Sequence, residues 1–160
     1  MAPGRGSLGC IDSPILVAIP TLPISKTATS ILSLAGKPVS EHIAAIERGL
    51  PSSSLGQIAR LLGLPKQRLV AALRFAQRRV SERDRTKARF SLEEAERLLR
   101  VLRVHQLARV VFTSDEAVAQ WLDAPDPSLG MKTPLDLLAT DLGAAKVENL
   151  AHAMIHGVPV

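Results

Sequence analysis

The sequence predicts an all-α fold, on three observations. The 160-residue chain is 46% hydrophobic but only 2% aromatic, so its apolar content is mainly Ala, Leu, Val and Ile. From Val39 onward apolar residues recur at three- and four-residue spacing, the period of a helix with one buried stripe. Ser or Thr precedes many of these segments and Gly or Pro follows, while no run alternates with the two-residue period of a strand.

The elements follow in order. Residues 1–39 read as a leader. Within it Ile15 to Ile24 is apolar but broken by Pro20 and Pro23, with Pro14 and only Arg5 ahead of it. It is too short and proline-rich to span a bilayer and lacks the flanks of an export signal, so no membrane partner is expected. The lone Cys10 cannot pair internally, which suits a reducing cytoplasm. Ser40 is positioned to cap a first helix with Ile43, Ile46 and Leu50 on its stripe and Gly49 as its stop. One of Ser52 to Ser54 caps a second, Leu55 to Leu62, ended by Gly63. Pro65 opens a third that the spacing carries to Arg79, burying Leu69, Ala72, Leu73 and Ala76.

Residues 81–90 are nearly all polar and read as a basic connector. Ser91-Leu92-Glu93-Glu94 is a capping box that opens the longest helix, to about Phe112. Its apolar residues Leu92, Ala95, Leu98, Leu99, Leu102, Leu107, Val110 and Val111 wrap more than half its surface, which suits a central helix or a dimer interface. Ser114 caps a short helix reaching Leu122, residues 123–132 form a loop, and Thr133-Pro134-Leu135-Asp136 is a second capping box. A last helix, about Ala144 to His156, stops at Gly157. Two domains are expected, 40–90 and 91–160.

The net charge of +5 is unevenly spread: +2 over residues 1–65, +8 over 66–109 and −5 over 110–160. A polyanion is attracted to the middle segment and repelled by the tail. With no Tyr, three Phe and one Trp the chain has few faces on which to stack single-stranded bases. Duplex DNA is the better partner.

Ile58-Ala59-Arg60-Leu61-Leu62-Gly63-Leu64-Pro65-Lys66-Gln67-Arg68-Leu69 has helix-turn-helix spacing. Ala59 lets the helices approach, Gly63 takes the tight turn, and Ile58, Leu62, Leu64, Leu69 and Ala72 supply the shared core. In this motif the start of the second helix enters the major groove. Lys66, Gln67 and Arg68 stand there as candidate base readers. Gln57, Arg60, Arg74, Arg78 and Arg79 are placed for phosphates. The motif also occurs as plain scaffold.

Other patterns carry no chemistry. Gly4-Arg5-Gly6-Ser7-Leu8-Gly9 fits a dinucleotide-binding fingerprint but has no strand before it or helix after it. Glu148, His152 and His156 share a helical face, yet the spacing lacks the Glu of a zinc protease and no metal is expected. His42 and His105 have no evident catalytic partner, so neither an enzyme nor a bound cofactor is expected.

The run Leu129-Gly130-Met131-Lys132-Thr133-Pro134-Leu135-Asp136-Leu137-Leu138, followed by Thr140, Gly143, Val147, Leu150, Ile155, His156 and Gly157, resembles the toxin-binding C-terminal region of the Xre/MbcA/ParS antitoxins. The helix-turn-helix at 55–79 resembles the Xre-like domain that precedes it in that family. The resemblance covers about residues 40–160. Met131 departs from it, standing where family members often carry a second glycine.

The resemblance implies a type II antitoxin partnered with a RES-domain toxin, an enzyme that consumes NAD or transfers ADP-ribose from it. A homodimer would repress the operon through the helix-turn-helix while the C-terminal region covers the toxin's active site. Leu129, Gly130, Thr133, Glu148, His152, Ile155, His156, Gly157, Val158, Pro159 and Val160 are the residues it points to for toxin binding. Inhibition would be steric, the chain's last residues filling the nucleotide pocket. A stand-alone helix-turn-helix regulator without a toxin, and a helical adaptor without DNA binding, remain the alternatives.

Overall fold

The computed structural model describes residues 30–157, and among these there are eight α-helices and no β-strand. The order is α1 (Val39–Arg48), α2 (Ser53–Leu61), α3 (Lys66–Ala72), α4 (Gln77–Thr86), α5 (Leu92–Val111), α6 (Asp115–Asp123), α7 (Pro134–Leu137) and α8 (Asp141–His156). Short 3-10 turns at Ile31–Leu34 and Pro127–Leu129 complete it.

The long helix α5 is the centre of the molecule. Its start is fixed by the expected capping box: the Ser91 amide donates to Glu94 Oε2 at 3.0 Å and the Glu94 amide to Ser91 Oγ at 3.4 Å. It packs against α1, α2, α6 and α8. Ala95, Leu98, Leu99, Val101, Leu102, Val104, His105 and Ala108 are buried along it, consistent with the central position its apolar girth implied. Leu92, Val110 and Val111 at its ends are exposed instead, at 56%, 68% and 37%.

Ahead of α5, α2 and α3 form the helix-turn-helix as its spacing requires. Ile58, Leu62 and Leu69 are fully enclosed and Ala59 and Ala72 nearly so. Gly63 sits at φ +60°, the left-handed conformation that glycine adopts without strain. The Leu64 amide donates to the Ala59 carbonyl at 3.0 Å and closes the end of α2.

Several elements depart from the sequence reading. Pro38, not Ser40, occupies the N-cap of α1, and Ile43 is half exposed. Ile31 and Leu34, assigned to the leader, are buried in the common core. The helix expected from Pro65 to Arg79 breaks at Leu73 to Ala76, where Arg74 takes φ +55°. The break turns Phe75 into the core, its ring centroid 5.9 Å from that of Phe90, and leaves Ala76 exposed. What read as a connector at 81–90 is mostly α4, a helix whose only buried residue is Val80. The last helix begins at Asp141, capped by Thr140 Oγ1, which accepts from the Gly143 amide at 3.2 Å. The leader glycine pattern, Cys10 and residues 158–160 lie outside the described residues.

Candidate functional site

The helix-turn-helix presents one candidate surface. Gln67 is exposed at the start of α3, and Arg60, Arg74, Arg78 and Arg79 are exposed on α2, at the helix break and on α4. Arg78 and Arg79 border a groove of about 480 Å³ with Arg83 and Arg89. Three other candidates are already engaged. Gln57 Oε1 accepts from Ser30 Oγ at 3.0 Å and from the Ile31 amide at 3.1 Å, anchoring the first 3-10 turn to α2. Lys66 pairs with Asp84 of α4.

Arg68 reaches into the second half of the chain. Its guanidinium donates to Asp123 Oδ1 at 2.7 Å, to Asp136 Oδ1 at 2.8 Å and to Thr133 Oγ1 at 3.2 Å. Burial works against ionisation of Asp136, but the hydrogen bonds from Arg68 and Thr133 and the positive field of Arg68 and Arg74 outweigh it, so its carboxyl is held below the usual range. The second capping box is therefore only half formed. Thr133 Oγ1 accepts from the Asp136 amide at 3.2 Å, while the Asp136 carboxylate is turned to Arg68.

The charge map closes largely on itself. Five of the seven carboxylates in residues 110–160 pair with cations of the basic middle: Asp115 with Arg109, Asp123 and Asp136 with Arg68, Asp141 with Arg100, and Glu148 with Arg103. The last of these has Arg103 Nε 2.7 Å from Glu148 Oε1. Within the described residues, Arg60 of α2, Arg74 at the break and Arg78 and Arg79 of α4 are among the exposed cations without an ion pair. The tail is correspondingly less anionic toward a partner than its composition suggests.

The second candidate surface is the loop before α7 together with α8. Asp126 organises the loop: its carboxylate accepts from the Ser128 amide at 2.8 Å, and its carbonyl accepts from the Met131 amide at 2.9 Å. Gly130 and Met131 follow one another in left-handed conformation at φ +69° and +62°, which glycine adopts without strain and methionine does not. Leu129 is buried and supports the loop from beneath, while Gly130 is exposed and Thr133 half buried. On α8, His152 and His156 are exposed with their rings stacked at 6.5 Å, Ile155 is half buried, and Gly157 ends the helix at φ +65°. Val158, Pro159 and Val160 lie outside the described residues.

Sequence reasoning missed two strongly exposed apolar side chains of this surface, Leu142 at 87% and Met131 at 66%. Leu142 lies one residue into α8 just after the cap, a position that the later helix start assigned from spacing had hidden. His105, buried between α5 and α6, has Nε2 3.2 Å from Asp115 Oδ1 but off the line of a good hydrogen bond. Among the described residues no group of three or more His, Cys, Asp or Glu is placed to hold a metal, and no helix is long and apolar enough to cross a membrane.

The fold is thus a helix-turn-helix with exposed cations, joined through a shared central helix to a second helical unit. Comparison with known families makes this specific. Residues 41–103 match the antitoxin Xre-like helix-turn-helix domain, and residues 107–157 match the antitoxin Xre/MbcA/ParS C-terminal toxin-binding domain. The chain is 32% identical over 114 residues to the antitoxin Xre of Yersinia enterocolitica, covering 71% of this chain and 77% of that protein. It is also 32% identical over 119 residues to the antitoxin Xre of Photorhabdus laumondii, covering 73% and 80%. The chain belongs to the Xre antitoxin family, a family of antitoxins and not of enzymes.

Proposed function

We propose that this chain is the antitoxin of a type II pair whose toxin is a RES-domain, NAD-consuming enzyme, and that as a cytoplasmic homodimer it represses its own operon. The observation that carries this reading is the presence, on one chain, of a helix-turn-helix with unpaired exposed cations and a matched toxin-binding domain. Gln67 reads bases, and Arg60, Arg74, Arg78 and Arg79 contact phosphates. The α8 face with His152, Ile155 and His156, the Gly130 loop, and residues 157–160 cover the toxin's active site. Inhibition is steric: small apolar side chains occupy the space of a nucleotide.

Homodimerisation is supported by the exposed apolar residues Val39 and Ile43 on α1, at 71% and 51%. Two recognition helices related by a two-fold axis would bind half-sites about one DNA turn apart.

Co-expression with the adjacent reading frame, followed as growth and cellular NAD, tests the toxin assignment. The chain should restore both. Removal of residues 157–160 should release NAD consumption; a truncated chain that neutralises fully would remove the tail from the mechanism. Retention of the promoter fragment by the purified chain tests repression.

A further inference from the structure

We infer that the arginine-lined groove beside α4 is a binding site for a small polyphosphate anion, a free di- or triphosphate or its ester. The groove, about 480 Å³ in volume, lies between α4 and the chain at Ala88 and Arg89, which leaves the helix through Lys87 at φ +57°. Its walls carry Arg78, Arg79, Arg83 and Arg89.

Arg83 is the fixed part of it. Its Nε donates to the Arg89 carbonyl at 3.2 Å and its Nη2 to Glu94 Oε2 at 2.6 Å, and the guanidinium carbon lies 4.4 Å from the centroid of the Phe90 ring. Two edges and one face of the plane are thereby held. Nη1 is left with no hydrogen-bond partner, although solvent does not reach it and the side chain is only 12% exposed. A buried charged donor is costly to leave unsatisfied, and an ion is one of the partners that resolves it.

Around Nη1 the charge is one-sided. Arg78 and Arg79 stand one turn earlier on α4, and they and Arg89 are exposed. Arg89 Nη1 donates to the Gly49 carbonyl at 2.7 Å, which holds that side chain across the groove's edge. The one carboxylate of the lining, Glu82, is turned to Arg85 at 2.6 and 3.3 Å, and Glu94 is engaged by Arg83 and Ser91.

That arrangement selects the ligand. A guanidinium donates two parallel bonds to neighbouring oxygens, and several of them around one groove match the oxygens of linked phosphates. A cation would be repelled. Reaching Nη1 takes a movement of the exposed lining side chains, which a small anion can accompany and the convex backbone of a stiff duplex cannot follow. Arg78 and Arg79 are also phosphate contacts of the proposed function, so the anion and operator DNA would exclude one another. That consequence, unlike the site itself, rests on the function proposed above.

Calorimetric titration of the full chain with sodium pyrophosphate, set against sodium sulfate at matched ionic strength, tests the site. Pyrophosphate should bind saturably and at least about tenfold more tightly than sulfate. Arg89→Gln should weaken it by about tenfold or more, as should Arg83→Lys, which keeps the charge and loses the planar fork. Heats equal to those of sulfate would reduce the groove to a screened surface patch and overturn the site; undiminished binding in both folded variants overturns it too. Weaker duplex binding by Arg89→Gln, with no saturable heat from pyrophosphate, would give the groove to the DNA backbone and overturn the free anion. On the promoter fragment pyrophosphate should weaken retention more than sulfate does, and equal weakening overturns the exclusion. Saturable pyrophosphate binding by a chain that never retains the promoter would leave the site standing and remove the proposed repression.

Discussion

A Cβ on Gly143 would lie 2.1 Å from the carbonyl oxygen of Leu137 and 2.9 Å from its carbonyl carbon. The backbones of α7 and α8 therefore meet at a point where only a hydrogen fits. Alanine in a helix normally gains about 1 kcal/mol over glycine, but here the clash is with main chain and cannot be relieved by a rotamer. Gly143→Ala should cost about 1–3 kcal/mol or more in chemical unfolding. A variant as stable as the parent would mean that α7 shifts freely against α8.

Met131 tests the neighbouring loop. A non-glycine side chain at φ +62° carries strain, so Met131→Gly should raise stability by about 0.5–1 kcal/mol once the greater freedom of the unfolded chain is counted. The same change removes an exposed apolar side chain from the proposed toxin surface. Stability should rise while toxin affinity falls, read by urea unfolding and by titration; unchanged toxin affinity would place Met131 outside the interface.

The roles proposed for Gln67 and for the exposed arginines can be separated. Gln67→Ala should cost about 1–3 kcal/mol on the preferred operator and less on unrelated DNA. Arg78→Ala with Arg79→Ala should weaken binding to all duplexes alike and flatten the salt dependence by roughly 0.9 for each phosphate no longer neutralised. A sequence-dependent effect on changing the arginines would exchange these assignments.

Acidity should act through His105. Burial lowers its pKa, the field of Asp115 opposes this in part, and Arg109 adds to the lowering. The folded state thus binds a proton less readily than the unfolded chain, whose histidine titrates near about 6.5. Stability should be full above that value and decline as pH falls through it toward the folded pKa. Melting temperatures of the natural chain and of His105→Gln between pH 5 and 8 should diverge, the variant showing the flatter profile.

A second acid-side loss has its origin in Asp136, whose folded pKa is depressed. Its contribution is present above the unfolded carboxylate value of about 3.9 and is lost as pH falls through the lower folded value. Asp136→Asn should remove that loss from an acid titration; an unchanged titration below about pH 4 would assign it to other carboxylates.

Much of this was legible from local chemistry. The capping box at Ser91, the turn at Gly63 and the stop at Gly157 are decided by residues within a few positions of one another, and so was the core of α2 and α3. The break at Arg74 was not, because the periodicity of Lys66 to Arg79 is continuous; it brings Phe75 against Phe90, a contact between elements that local spacing does not show. Helix α4 was hidden by its polarity, its place being secured by Arg83, which pairs with Glu94 at 2.6 Å and lies over Phe90 at 4.4 Å. The placement of Arg68 was beyond reach for the same reason, since its partners lie 55 and 68 residues away. Composition showed where charge was concentrated and not how much of it was consumed in holding the fold together.

The two matched family segments, 41–103 and 107–157, meet inside α5, a buried rod about 30 Å long. Exchange of modules between relatives would therefore have to splice this rod turn for turn, with every buried side chain from Ala95 to Ala108 still facing a neighbour. A crossover that left those faces mismatched would disrupt the packing of both segments at once.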